Sequence, residues 1–335
     1  MTIRRSKPLA LAYLMSFIAM PLTAETPHVD SSLDIYAKPG QFVNIGKHQR
    51  LNLRCSGEGT PTVVLESGNN ADSMTWFKLQ PEIAKFTRVC AYDRAGTGFS
   101  DGGPLPRNLD LNSADLSELI HTAHIAMPAV FVGHSYGTNV VRRFADKHPN
   151  DVAALVLLDP PPQNVGEFSP EFENADDKEH NGMLAAIRNC EKGAEAGKLD
   201  TPEFKDCLRP PNPQFSAELN AAIHANKTRP AFWQTIISIT EANADLYRQP
   251  VSKAESHGAT PLLILQPDSP FEDVPAEFRK PMEQARQKTQ QAIAATSTRG
   301  KIVPVSHSSH DVQMDRPDAA VEAVRTAIAM LAPKP

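Results

Sequence analysis

The chain has 335 residues, 41% hydrophobic and 22% charged, the balance of an ordinary globular protein with room for one large domain or two small ones. Its formal charge is −5 and it has no long Lys/Arg cluster, which argues against nucleic acid as a partner. No internal repeat is visible, and 29 prolines call for many turns and irregular stretches.

Arg4, Arg5 and Lys7 precede a mostly apolar run from Leu9 to Leu22, and Ala24 is a small residue at a cleavage position. That is the layout of a secretory signal peptide over residues 1–24. The run falls short of the roughly 20 apolar residues that span a bilayer, so no stable membrane anchor is expected after cleavage. Cleavage would remove those three basic residues and no acidic one, taking the charge from −5 to −8. The mature protein is thus expected to be exported, periplasmic or secreted. In an oxidising compartment its four cysteines can pair. Cys190 and Cys207 lie close together in one segment and are the favoured bridge; four free thiols are the alternative.

After an irregular lead-in, "QFVNIG" and "HQRLNLRCSG" read as two strands joined by a tight turn at Gly46–Lys47. "PTVVLESG" is a short apolar run suited to a buried strand. A helix is predicted from Trp76 to Lys85, then the strand "TRVCAYDRAGTG", then a helix from Asn112 to Ile125 capped by Asn112 or Ser113. "AVFVGHS" is another buried strand, Ser135 to His148 turns helical, and "VAALVLLDP" is a strand stopped by prolines. This alternation predicts a mostly parallel sheet with helices on both faces. From Gln163 to about His257 no strand is evident. Helical pieces near Gly182–Ala196 and Pro230–Tyr247 make this a helical insert, at roughly 90 residues too long for a plain loop. "TPLLILQP" resumes the sheet, "RKPMEQARQKTQQAIAAT" is helical and "GKIVPVS" is the last strand. A closing helix is predicted with Asp315 as its cap and Pro317 in its first turn.

"GHSYG", Gly133 to Gly137, places Ser135 on a sharp turn between a buried strand and a helix. Such a turn lifts the hydroxyl clear of the sheet, and its close neighbours must lack Cβ, hence the two glycines. It also aims the N–H of Tyr136 and the helix N-terminus at whatever the serine attacks. A serine nucleophile needs a base. His307 and His310 share the loop after the last strand, and His310, nearer the middle, is preferred. His307 and His310 as metal ligands would need a third. His134 is expected to be a neighbour of the oxyanion region or a structural residue. The histidine needs an acid, and Asp159 and Asp268 both keep the order Ser, acid, His, with Glu272 and Asp273 competing near the second. A second oxyanion donor is expected from the backbone N–H of Asn69, after Gly68.

Taken in order, "VVLESG", "AYDRAGTGFSD", "VGHSYG", "LVLLDP" and "SSHDVQMDRPDAAVEAV" resemble the α/β-hydrolase superfamily, its serine-nucleophile branch with a helical cap after strand six. The resemblance runs from about Phe42 to Leu331. It implies an α/β fold with an eight-stranded sheet, a core over 25–162 and 258–335, and a cap over 163–257. It also implies Ser135 as nucleophile, His310 as base, and Tyr136 and Asn69 as the oxyanion hole, while Asp93 and Arg94 belong to a structural turn. Strands two and four become neighbours, which makes Cys55–Cys90 a second bridge. Many members carry the acid in a G-x-x-D sequence after strand seven, which "LQPDSP" lacks; others carry it at the end of strand six, so Asp159 is favoured over Asp268.

The expected reaction is hydrolysis of a carboxylic ester of a small or medium-sized substrate through an acyl-enzyme, with no cofactor or metal. An amidase, peptidase or thioesterase with the same triad, or a non-catalytic binding protein on the same fold, are the competing readings. Phe232, Trp233 and Tyr247 are expected either to line the substrate pocket or to pack the insert onto the core. Oligomeric state is left open.

Overall fold

The computed structural model describes residues 29–47, 49–271 and 274–332. The signal-peptide segment, and Glu272 and Asp273, lie outside the described residues.

Eight strands form one sheet: β1 (Gln41–Ile45), β2 (Gln49–Ser56), β3 (Val63–Glu66), β4 (Val89–Tyr92), β5 (Ala129–His134), β6 (Val152–Leu158), β7 (Leu262–Pro267) and β8 (Gly300–Val305). Their order is β1-β2-β4-β3-β5-β6-β7-β8, and β2 alone runs against its neighbours. The central strands read as unbroken apolar runs because both faces are covered. The two-residue repeat still sorts them: Phe131, Leu155 and Leu157 join one core, while Val130, Val132, Val156 and Leu158 join the other. The edge strand β8 is half exposed and tolerates Pro304, which an interior strand would not.

Around the sheet stand α1 (Gln80–Ala84), α2 (Leu109–Thr122), α3 (Tyr136–Lys147), α4 (Pro170–Glu195), α5 (Ala217–Lys227), α6 (Pro230–Arg248), α7 (Ala276–Ala295), α8 (Val312–Asp315) and α9 (Pro317–Ala329). Leu116 of α2, Phe144 of α3 and Ile293 of α7 cover one face; Ile83 of α1, Val312 of α8 and Val324 of α9 cover the other. Three helices, α4, α5 and α6, fall between β6 and β7.

Several local expectations need correction. Instead of one helix from Trp76 to Lys85 there is a 3-10 turn, Ser73–Trp76, and then α1. Helix α2 starts a turn before Asn112 because Asn108 is the cap, its side chain accepting from Leu111 N at 2.9 Å. Asn112 and Ser113 are buried inside it. Asp315 ends α8 rather than capping α9, and its carboxylate takes the N–H and hydroxyl of Ser309 at 2.8 and 2.6 Å. Helix α5 has no counterpart among the helices predicted from the sequence.

Both bridges are present. Cys55 and Cys90 face each other across β2 and β4, and Cys190 of α4 is joined to Cys207. The second bridge sits in a small core of its own with Leu199, Phe204, Phe232, Trp233 and Ile236. Phe232 and Trp233 therefore pack the insert rather than line a pocket. Further along α6, Ile239 reaches the main core and Ser238 Oγ accepts from Arg107 N at 2.6 Å, so this helix seats the insert on the sheet's loops.

Candidate active site

The corner between β5 and α3 is built as the glycine spacing requires. Ser135 sits at φ 51°, ψ −124°, a backbone conformation that non-glycine residues rarely hold. A Cβ on Gly137 would lie 2.4 Å from Glu66 O, and one on Gly133 would lie 2.7 Å from Gly137 O. The strand and helix can therefore only meet if both positions are glycine. Ser135 N donates to Leu158 O at 3.0 Å, tying the corner to β6, and the first N–H groups of α3, starting with Tyr136, lack partners within the helix.

Directly after β6 comes Asp159, only 2% exposed and itself at positive φ. Its Oδ2 lies 2.7 Å from His310 Nδ1, so that nitrogen carries the proton and Nε2 keeps a free lone pair. Its Oδ1 accepts from Gln290 Nε2 at 3.1 Å and Arg286 Nη1 at 3.4 Å. Burial pulls the His310 pKa down, but the hydrogen bond and charge of Asp159 outweigh it, and the net shift is upward. Ser135, Asp159 and His310 line one open depression of about 450 Å³.

Asp268 is placed differently. Its carboxylate accepts the backbone N–H groups of His307 and Ser308 at 3.0 and 3.1 Å, which hold its pKa below the usual carboxylate range. It thus braces the loop that carries His310, in which His307 takes up positive φ. His134 braces the same loop: its Nε2 donates to His310 O at 3.0 Å, and the two ring centres lie 4.8 Å apart with the rings tilted by 46°. Burial, and then the charge of His310, lower the His134 pKa to about 3, so this ring stays neutral.

On the other side of Ser135, the loop after β3 carries Asn69. Arg94 donates to Ser67 O at 2.5 Å and to Gly68 O, and it pairs with the buried Glu66, which also accepts from Tyr92 OH. A Cβ on Gly68 would lie 2.9 Å from His134 Nδ1, so the loop passes close over the histidine. Tyr136 OH, buried under this loop, accepts from Asn112 Nδ2 at 2.9 Å.

Sequence reasoning had no signal for Gln290 and Arg286 beside Asp159, or for Glu66 beneath Arg94. Their spacing of four on α7 puts Arg286 and Gln290 on one face, but only the folded sheet brings that face to Asp159. Among the described residues no group of three or more His, Cys, Asp or Glu side chains could hold a metal ion, and no helix is long and apolar enough to cross a membrane.

The model of the α/β hydrolase fold family matches residues 61–233, just over half of the chain. The chain belongs to that family. The Bacillus subtilis protein YqjL is 33% identical over 113 residues, 34% of this chain and 45% of that protein. Lipase LipV of Mycobacterium tuberculosis is 33% identical over 111 residues, 33% of this chain and 41% of the lipase. The chain spans less than half the length of the curated relatives it matches. Among solved structures, a thermophilic esterase from Thermogutta terrifontis is similar in fold, with a TM-score of 0.57, 20% identity, and coverage of 87% of this chain and 98% of the esterase.

Proposed function

We propose that this chain is an exported serine hydrolase that cleaves a carboxylic ester of a small or medium-sized substrate. Ser135 Oγ attacks the ester carbonyl while His310 Nε2 takes its proton, and Asp159 fixes the tautomer and favours the imidazolium that forms. The N–H groups of Tyr136 and Asn69 hold the oxyanion. His310 returns the proton to the departing alcohol, and water activated by the same nitrogen releases the acid from the acyl-enzyme. The observation that carries this reading is the 2.7 Å pairing of His310 with Asp159 on the wall of the depression that Ser135 also lines.

Residues 25–162 and 258–335 would form the catalytic core and 163–257 a covering cap, with 1–24 directing export. Two disulfides are compatible with an oxidising compartment, and an esterase and a lipase among the similar proteins fit the reaction class. The test is hydrolysis of p-nitrophenyl butyrate and of an aminoacyl anilide by the mature protein and its Ser135→Ala, His310→Ala and His307→Ala variants. The ester should be cleaved far faster than the anilide, and only the His307 variant should stay active. A preference for the anilide, or loss at His307 with retention at His310, contradicts the assignment.

A further inference from the structure

A second cavity of about 330 Å³ adjoins the depression around Ser135, and the two share the walls Pro161 and Pro162. It lies between Asn69 and Asn70 on one side and helices α4 and α6 on the other. Most of its surface is apolar, from Val165, Phe172, Met183 and Met282. Polar groups also reach it, His180 from α4 and Arg248 from the end of α6 among them, and the most deeply buried of them are on α6. Thr240 and Asn243, 6% and 7% exposed, present a hydroxyl and a carboxamide to the cavity. Neither polar end is sealed away inside the protein, and both stay open to the cavity. Polar groups open to a mostly apolar pocket mark where a polar atom of a ligand belongs, because an apolar ligand covering them would cost them their water.

The chemistry decides which part of a substrate enters. His310 must hand its proton to the departing oxygen, so the alcohol lies on the imidazole side, in the depression bounded by Ser269, Pro270 and Phe271. The space left for the acyl group on the opposite side is the 330 Å³ cavity that Asn69 lines. We propose that this cavity selects medium-length acyl groups that carry a hydrogen-bonding substituent, a hydroxyl or ketone, and that Asn243 and Thr240 read that substituent. An unsubstituted acyl chain of the same length would strand the Asn243 amide. This assignment rests on the ester-hydrolase reading of Ser135.

The experiment compares kcat/KM for p-nitrophenyl octanoate with a set of its hydroxy and oxo analogues, with p-nitrophenyl acetate as a separate control on the wild type. At least one substituted ester should exceed octanoate by roughly 10–100-fold, the factor that one or two such hydrogen bonds carry. That ratio should fall to about one in Asn243→Leu and shrink in Thr240→Val, with thermal melts showing that each variant folds. Should one variant fail to fold, the other decides. Equal or better turnover of plain octanoate by the wild type overturns the proposal, as does a ratio unchanged in the folded variants. Acetate left uncleaved by folded wild type instead strikes the hydrolase reading beneath it, and the proposal falls with it.

Discussion

Arg94 and Glu66 form an ion pair that water does not reach: Nη1 and Oε1 are 2.5 Å apart, and neither side chain is more than 2% exposed. The same guanidinium carries the carbonyls of Ser67 and Gly68, so a buried charge is what shapes the loop bearing the Asn69 N–H. Removing one partner leaves the other charge buried alone. Arg94→Met is therefore expected to lower stability by about 3–5 kcal/mol in urea unfolding, with ester turnover lost alongside. A variant within 1 kcal/mol of wild type would show that the pair does not shape this loop.

Asp159 and Asp268 are separated by one substitution each. Asp159→Asn should lower kcat by roughly 10⁴, because the amide no longer holds Nδ1–H toward the acid. Asp268→Asn, which touches only the backbone of the His310 loop, should leave kcat within a few-fold of wild type. Comparable losses in the two variants would contradict the placement.

The pH profile follows from the same contact. Catalysis needs neutral His310, whose pKa is raised, so the acid limb of kcat/KM should lie above the ordinary histidine value of 6.5. In Asp159→Asn the residual activity should show that limb at lower pH. The raised pKa also contributes stability that is fully present below 6.5 and is lost as pH rises through the folded-state value. An acid limb below 6.5 in wild type contradicts this.

His134 touches no substrate in this account and acts by positioning the His310 backbone. Truncation to alanine should lower kcat by about 10–100-fold with KM little changed, since a small misplacement of the base is costly. His134→Gln keeps a side-chain donor and should recover part of the loss. Equal turnover in both variants and wild type would remove this role.

Away from the site, Arg142 grips Glu255 through two hydrogen bonds of 2.7 and 2.6 Å. Burial works against the Glu255 carboxylate, but His257 and Arg142 outweigh it and hold its pKa at about 2. Its stability contribution is therefore present above the unfolded value near 4.5 and disappears as pH falls toward 2. Glu255→Gln should lose about 3 kcal/mol at pH 7, with the gap to wild type closing below pH 4.5. A gap independent of pH would contradict it.

The parts of this fold that can be read from sequence are those with a one-dimensional cause. Strands β3, β5, β6 and β7 stand out because burial on both faces demands unbroken apolar runs. The corner at Ser135 stands out because two backbones pass too close for any Cβ at Gly133 and Gly137. Pairings set by topology are not readable in this way. Nothing near Asp159 announces Gln290, 131 residues on, and nothing near Glu66 announces Arg94. Helix α5 escapes notice because Ala and Asn dilute its apolar stripe; Leu219 is its one fully buried residue. The choice between Asp159 and Asp268 could be weighed from strand ends alone, but the distance to His310 exists only in the folded chain.

Ester hydrolysis at this site requires Ser135 to be a nucleophile poised by His310. A fluorophosphonate probe, followed by peptide mapping in a mass spectrometer, measures that directly. The expected result is a single adduct on Ser135 of the folded mature protein, slow to form in His310→Ala and absent in Ser135→Ala. Folded wild-type protein that stays unlabelled, or carries the adduct on another residue, would contradict the account.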